Sequence, residues 1–270
     1  MNNINEIFSK LIGLYNDRKL FWSLTKQDFK SKYFGSLLGS TWAFIQPAIT
    51  IFIFWFVFQV GFKTQPISDV PFTLWLLAGI IPWFFISESF SRATHSFVEN
   101  SYLVSKIAFR ISILPLVRIV TSLFIHLFFL FVLLVILILY GYTPSIYWLQ
   151  ILYFLVCMVI LSTTLSILTS TLYVFFRDMA YIVGVVIQVG FWITPIFWSS
   201  NILPEKFVVF IKLNPFYYLV EGYRLSFFEN QWFWVSDIYL TLYFWSFIIL
   251  TTIVGFILYK VLRPHFADVL

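Results

Sequence analysis

Charge is what this sequence has least of. Only 11% of its 270 residues are Asp, Glu, Lys or Arg, against roughly 25% in an average soluble domain, which excludes an ordinary water-soluble globule. There is one cysteine, Cys157, so no intrachain disulfide framework is possible. Lying in an apolar run, it reads as a small hydrophobe. The three histidines, His95, His126 and His265, are far apart and lack the spacing of a metal site; His126, inside a span, reads as a helix-to-helix hydrogen bonder. No Asp-x-Asp pair exists to hold a metal and a nucleotide sugar, and no His-x-x-x-x-Asp exists for acyl transfer. Both absences argue against a polytopic glycosyl- or acyltransferase, the rival reading from another class. No Gly-x-x-x-x-Gly-Lys-Ser/Thr loop is present to cradle phosphates, so if ATP drives this protein, another chain hydrolyses it. Glu88 is the one acid within an apolar span, and it sits near one end. Ion-coupled transport needs ionisable groups at membrane depth, so a secondary transporter is disfavoured.

What the chain has is hydrocarbon. Hydrophobic residues make up 61% and the mean hydropathy is +0.92. Crossing a core of about 30 Å takes about 20 apolar residues at a helical rise of about 1.5 Å. Six stretches qualify: 39–62, 72–90 (interrupted by Pro82), 111–140, 146–176, 179–198 and 238–259. They are too long and continuous for barrel strands, so the expected fold is an all-α integral membrane protein with six transmembrane helices. Between the last two spans, the pieces 207–213 and 216–228 are short, charged and broken by Pro204 and Pro215. They read as re-entrant half-helices. At the amino end, Ile4, Ile7, Phe8, Leu11, Ile12 and Tyr15 recur at three- and four-residue spacing, as in an amphipathic helix lying in the membrane interface; a helix packed on a soluble partner has the same pattern. No apolar core followed by small residues marks a cleaved signal, so the amino terminus is expected to be retained. No polar linker divides the chain, which reads as one membrane domain over 1–270: an amino-terminal cytoplasmic or interfacial segment 1–36, a six-span core 37–262 and a cytoplasmic tail 263–270.

Orientation follows from the basic residues. With the amino terminus inside, only Lys63, Lys206, Lys212 and Arg224 of the 17 lysines and arginines fall outside, so both termini are expected to be cytoplasmic. The net charge of +5 is thereby a consequence of topology and does not require nucleic acid. Gly35 and Gly39, and the series Ser162, Ser166 and Ser170, are small-xxx-small patterns that serve packing within the chain or a dimer seam.

Aromatic residues are 23% of the chain, more than two interfacial belts require. Their faces suit the C–H surfaces of sugars. Trp42, Phe52, Trp55 and Phe56 in the first span and Tyr181, Phe191 and Trp192 in the fifth are candidates for lining a sugar path, although Phe and Trp in such places also simply face lipid. The segment 99–115 mixes Lys106 and Arg110 with Tyr102, Leu103, Val104, Ile107 and Phe109, as in a short helix that projects to a cytoplasmic partner or rests on headgroups. Arg177 and Asp178 lie in a turn between the fourth and fifth spans, either as a gating element or as a topogenic pair.

These residues carry a resemblance. Asp28-Phe29-Lys30-Ser31-Lys32-Tyr33, Ser36-Leu37-Leu38-Gly39 and Trp42-Ala43-Phe44-Ile45-Gln46-Pro47 are similar to the approach to the first span in type-2 ABC exporter permeases of the polysaccharide class. Gly79-Ile80-Ile81-Pro82-Trp83, Asn100 with Leu103-Val104-Ser105-Lys106, Ile113-Leu114-Pro115, Arg177-Asp178, Thr194-Pro195-Ile196, Asn214-Pro215 and Leu262-Arg263-Pro264-His265-Phe266-Ala267-Asp268 follow in the family order. Where many relatives carry Phe-Pro before the third span, this chain has Phe109-Arg110. The resemblance implies a homodimer in the cell inner (plasma) membrane, docked on a separate nucleotide-binding ATPase subunit that binds ATP and Mg, with no cofactor in this chain. It implies export of lipid-linked polysaccharide, O antigen first, with capsule or teichoic acid as alternatives. It further implies that Ile7, Phe8 and Leu11, with Asn100, Tyr102, Lys106 and Arg110, dock the ATPase, and that the half-helices form the outer mouth.

Overall fold

The computed structural model describes residues 18–32, 34–104 and 111–270. The amphipathic segment with Ile7, Phe8 and Leu11 lies outside the described residues, as do Lys106 and Arg110. The described part is helical, with one isolated bridge, Ile67 to Val70. Among the described residues the helices of eight residues or more are α1 (Arg18–Ser31), α2 (Trp42–Trp55), α3 (Phe72–Thr94), α4 (Ile113–Leu139), α5 (Gln150–Phe175), α6 (Met179–Ile193), α7 (Glu205–Lys212), α8 (Pro215–Phe228) and α9 (Ile238–Leu262). Short turns join them. A 3₁₀ turn precedes α2 and a π-helical turn, Phe56–Gly61, extends it.

Five of these helices are long and apolar enough to cross a membrane: the Gly39–Gly61 helix, α3, α4, the Ile146–Phe175 helix and the helix beginning at Ile238. The fifth expected span, 179–198, is helical only as far as Ile193 and is a shorter apolar helix. At 15 residues it rises about 22 Å, less than the roughly 30 Å hydrocarbon core. It stops there because Pro195 forces the preceding residue out of the helical region, and Thr194 is extended, at φ −70° and ψ 127°. Pro82, by contrast, does not interrupt α3, which continues to Thr94. Helices with proline persist where neighbours enclose them, and α3 is the most enclosed of the long helices.

Burial ranks the spans. The apolar window of α3 is 78% buried and that of the Gly39–Gly61 helix 6%. α3 is therefore the axis of the bundle, packed by α4, α5, α6 and α8, while α2 lies on its rim. Hydrogen bonds join the axis to α5, from Ser89 Oγ to Ser162 Oγ at 3.0 Å and between Thr94 and Thr169 hydroxyls at 2.8 Å. Ser162, Ser166 and Ser170 are buried within the chain, so the small-residue series serves internal packing. Gly35 and Gly39 have positive φ, 83° and 52°, and serve the turn before α2.

α8 is inserted into this bundle. Its residues from Phe216 to Val220 and from Gly222 to Phe227 are buried, which demands close approach: a β-carbon at Gly222 would lie 2.1 Å from the Phe154 ring. Its start is fixed by Asn214, whose side chain accepts from the Phe216 amide at 3.0 Å and donates to Thr194 Oγ1 at 2.8 Å, with Pro215 in the first helical turn. The break after α6 and the start of α8 are thus one hydrogen-bonded corner.

Candidate functional site: a charged end and an aromatic rim

One end of the bundle gathers charge. Asp28 of α1, 7% exposed, accepts from Arg92 Nη2 of α3 at 3.0 and 2.9 Å and also pairs with Arg118 of α4. Arg118 Nη2 donates to Glu99 at 2.6 Å. Glu88, one turn before Arg92, pairs with Lys32 and lies 3.7 Å from Arg92 Nε. Among the described pairs of this cluster, Lys32, Arg92 and Arg118 balance Asp28, Glu88 and Glu99. It binds α1, α3 and α4 to one another, next to the segment that begins at Glu99. In the sequence Arg92 and Arg118 are two of the thirteen basic residues on the expected cytoplasmic side and carry no further signal by themselves. The available signal was the Glu88/Arg92 pair at i and i+4; nothing local pointed to Asp28, 64 and 90 residues away.

Beside this cluster the carboxyl end is pinned as well. Phe266 is 1% exposed and packs on Phe97, with ring centroids 5.4 Å apart. Asn100 Nδ2 donates to the Ser96 carbonyl at 2.8 Å, while the Tyr102 side chain is exposed. This end therefore has a braced base and an exposed aromatic. Arg177 lies over the Tyr173 ring, 5.3 Å from its centroid. Asp178 occupies the amino-terminal cap position of α6 without a side-chain capping bond, and both residues of the turn are exposed.

The aromatic candidates divide by position. Trp42, Phe52 and Phe56 are exposed on the first span, as are Tyr181 and Trp192 on α6, while Trp55 and Phe191 are half-buried against the core. Phe52 meets Trp55 and Phe56 at centroid distances of 5.8 and 6.3 Å, and Phe191 meets Trp192 at 5.4 Å. Phe54 bridges the helices, 5.8 Å from Phe191. The first span and α6 are thus neighbours that leave a broad apolar surface of the chain uncovered. A cavity of about 170 Å³ lies between α2, α3 and α4, lined by Trp42, Gln46, Thr50, Glu88 and His126. His126 Nε2 meets the Tyr223 hydroxyl at 2.8 Å, a link from α4 to α8.

At the opposite end, Arg224 of α8 is 2% exposed. Its Nη1 donates to Glu221 at 2.7 Å, its Nη2 to the Ile196 carbonyl at 2.7 Å, and its guanidinium lies 3.9 Å over the Trp75 ring. Gly79 makes room for it, since a β-carbon there would sit 2.8 Å from Nη2. Lys212 Nζ donates to Asp237 at 2.7 Å, which joins α7 to the cap of α9. Burial opposes the charged form of Asp237, yet the bonds from Lys212 and from the Leu240 amide outweigh it and hold the carboxyl below the usual carboxylate range. Among the described residues no group of three His, Cys, Asp or Glu could hold a metal.

Comparison with known proteins places this architecture. A family model described as ABC-2 type transporter matches residues 19–228. Two O-antigen export system permease proteins RfbA of Klebsiella pneumoniae are each 31% identical to this chain, covering 92% of it and 93% of their own lengths. The protein of the same name from Myxococcus xanthus is 28% identical, over 81% of this chain and 84% of that one.

Proposed function

The chain belongs to the ABC-2 type transporter family, and from that premise we propose that it is the permease subunit of an ATP-driven exporter of lipid-linked polysaccharide, O antigen in the first place. The observation that carries the substrate class is the 31% identity to O-antigen export permeases over 92% of the chain. Two copies stand side by side in the inner membrane, with the exposed aromatic faces of the first span and α6 turned toward the partner copy and the polymer. Six spans cross the membrane, α6 completing its crossing through the extended residues that follow it. α7 and α8 form a re-entrant pair at the outer mouth, and both termini are cytoplasmic.

In this reading the charged end faces the cytoplasm. A separate nucleotide-binding subunit hydrolyses ATP and docks on the segment after Glu99 and on the amino-terminal helix. Force then enters through Asp28, Arg92 and Arg118, which tie α1 to the axial helix. This chain performs no covalent chemistry; its work is to guide the polymer and exclude water and ions from the path.

Deletion of the gene in its host, with plasmid complementation, tests the reading. Surface polysaccharide should be lost while lipid-linked polymer accumulates inside, and the intact chain should reverse both effects. Unchanged surface polymer would refute it.

A further inference from the structure

The end of the bundle that holds Arg224 contains a second cavity, of about 320 Å³, opening between α3, α8, the segment after α6 and the turn before α9. That is the low end of the roughly 300–1,000 Å³ of small-molecule sites. Arg224 and Trp75 form part of its wall, at 2% and 7% exposure. Two of their donors, Arg224 Nε and Trp75 Nε1, are buried without a hydrogen-bond partner among the described residues. Both atoms are closed off from solvent behind that wall, so the polar groups an incoming ligand meets are the exposed ones of the lining, Asn201, Glu229 and Ser236.

The charges narrow what that acceptor is. Among the lining residues Lys212 and Arg224 face Glu221, Glu229 and Asp237, an excess of one negative charge. Each cation is already paired, Lys212 with Asp237 and Arg224 with Glu221, both at 2.7 Å. A phosphate or carboxylate would meet repulsion here. A ligand with hydroxyls fits, because a hydroxyl accepts from the Asn201 amide and donates to a carboxylate such as Glu229. The lining also offers an aromatic platform: Phe233 is stacked on Tyr153 with centroids 3.9 Å apart and planes 7° from parallel, so its position is fixed. An exposed amide and carboxylate beside a fixed ring are the chemistry of sugar recognition.

We propose that this cavity is a binding site for a neutral pyranose unit, separate from the aromatic rim of the first span and α6. Resting on the export reading above, it takes a sugar of the polymer as it emerges at the outer face. Bound there, a sugar hinders the polymer from sliding back between power strokes.

The test uses the full chain with its ATPase partner, carrying Ser236→Cys at the exposed lip of the cavity; the native Cys157 is buried. In intact cells, or spheroplasts where an outer membrane is present, a membrane-impermeant thiosulfonate should label the new thiol. In nanodiscs at least one of the methyl glycosides of glucose, galactose, mannose and N-acetylglucosamine should slow labelling. With Asn201→Ala, an exposed lining residue, the concentration for half protection should rise about fivefold, the equivalent of one hydrogen bond. Labelling only in inverted vesicles would overturn the orientation beneath the proposal. Labelling from outside that no glycoside slows would overturn the site and leave the export reading standing, as would no labelling from either side. Stronger protection by glycerol 1-phosphate than by any glycoside would overturn the ligand class, and equal protection in Asn201→Ala would place the sugar elsewhere.

Discussion

Asp28 accepts hydrogen bonds at both carboxylate oxygens from Nη2 of Arg92, at 3.0 and 2.9 Å, and so ties α1 to the axial helix α3. Removing one partner of a buried ion pair leaves the other charge uncompensated, at a cost of about 3–5 kcal/mol. Asp28→Ala should lower stability by that order, read as the unfolding transition of the purified chain in detergent. In the double variant Asp28→Ala, Arg92→Gln the two losses should not add, because the residues share one interaction; strict additivity would show that the pair contributes nothing as a pair.

Gly222→Ala should be poorly tolerated. Its β-carbon would arrive 2.1 Å from the ring of Phe154, itself 1% exposed, so neither helix can yield without moving the other. Overpacking of this kind costs about 1–3 kcal/mol, measurable as a lower unfolding temperature and less folded protein in size-exclusion profiles. An unchanged profile would mean that α8 is not locked against α5.

The aromatic rim predicts a separation of export from folding. Trp192 is 60% exposed on α6, so Trp192→Ala should change stability by no more than about 0.5 kcal/mol while export falls several-fold. Trp42→Ala should likewise reduce export while assembly with the ATPase is kept. Normal surface polymer in both variants would remove the aromatic path.

Because the sequence lacks a phosphate-cradling loop, the purified chain should release no phosphate from ATP above background. Hydrolysis should appear on adding the nucleotide-binding partner. Turnover by the lone chain would contradict a borrowed energy source.

The link between Lys212 and Asp237 predicts an acid limit. The Asp237 carboxyl lies below its ordinary value when folded, so its contribution to stability is fully present above the unfolded pKa of about 3.9 and is lost as pH falls through the lower, folded value. The difference in unfolding temperature between the intact chain and Asp237→Asn should be constant from neutral pH to about pH 5 and shrink below about pH 4. A difference that persisted at low pH would show that the charge pair with Lys212 is not its source, since asparagine keeps the cap on Leu240.

Much of the fold was legible because hydrophobic runs act locally. The runs at 111–140 and 238–259 announced long helices, and α4 and α9 occupy them with ends shifted by a few residues. The short pieces either side of Pro215 became α7 and α8. Thr194-Pro195 and Asn214-Pro215 were visible as motifs, yet that one side chain bonds the other could not be read from either. The expected fifth span, 179–198, outruns α6 because the apolar run continues past Ile193 while the helix, stopped before Pro195, does not. The aromatic candidates stand out by composition; their exposure on two neighbouring helices belongs to the tertiary structure.

By itself the sequence determined that this protein lives in a bilayer as helices, since the free energy of moving side chains from water to hydrocarbon adds up residue by residue along each run. Only the tertiary structure decided which helix became the axis, that Asp28 would meet two arginines from distant helices, and that Arg224 would be buried over Trp75 with donors to spare. Those outcomes depend on contacts between residues dozens of positions apart, and no local pattern encodes which side chains the packing of helices will bring face to face.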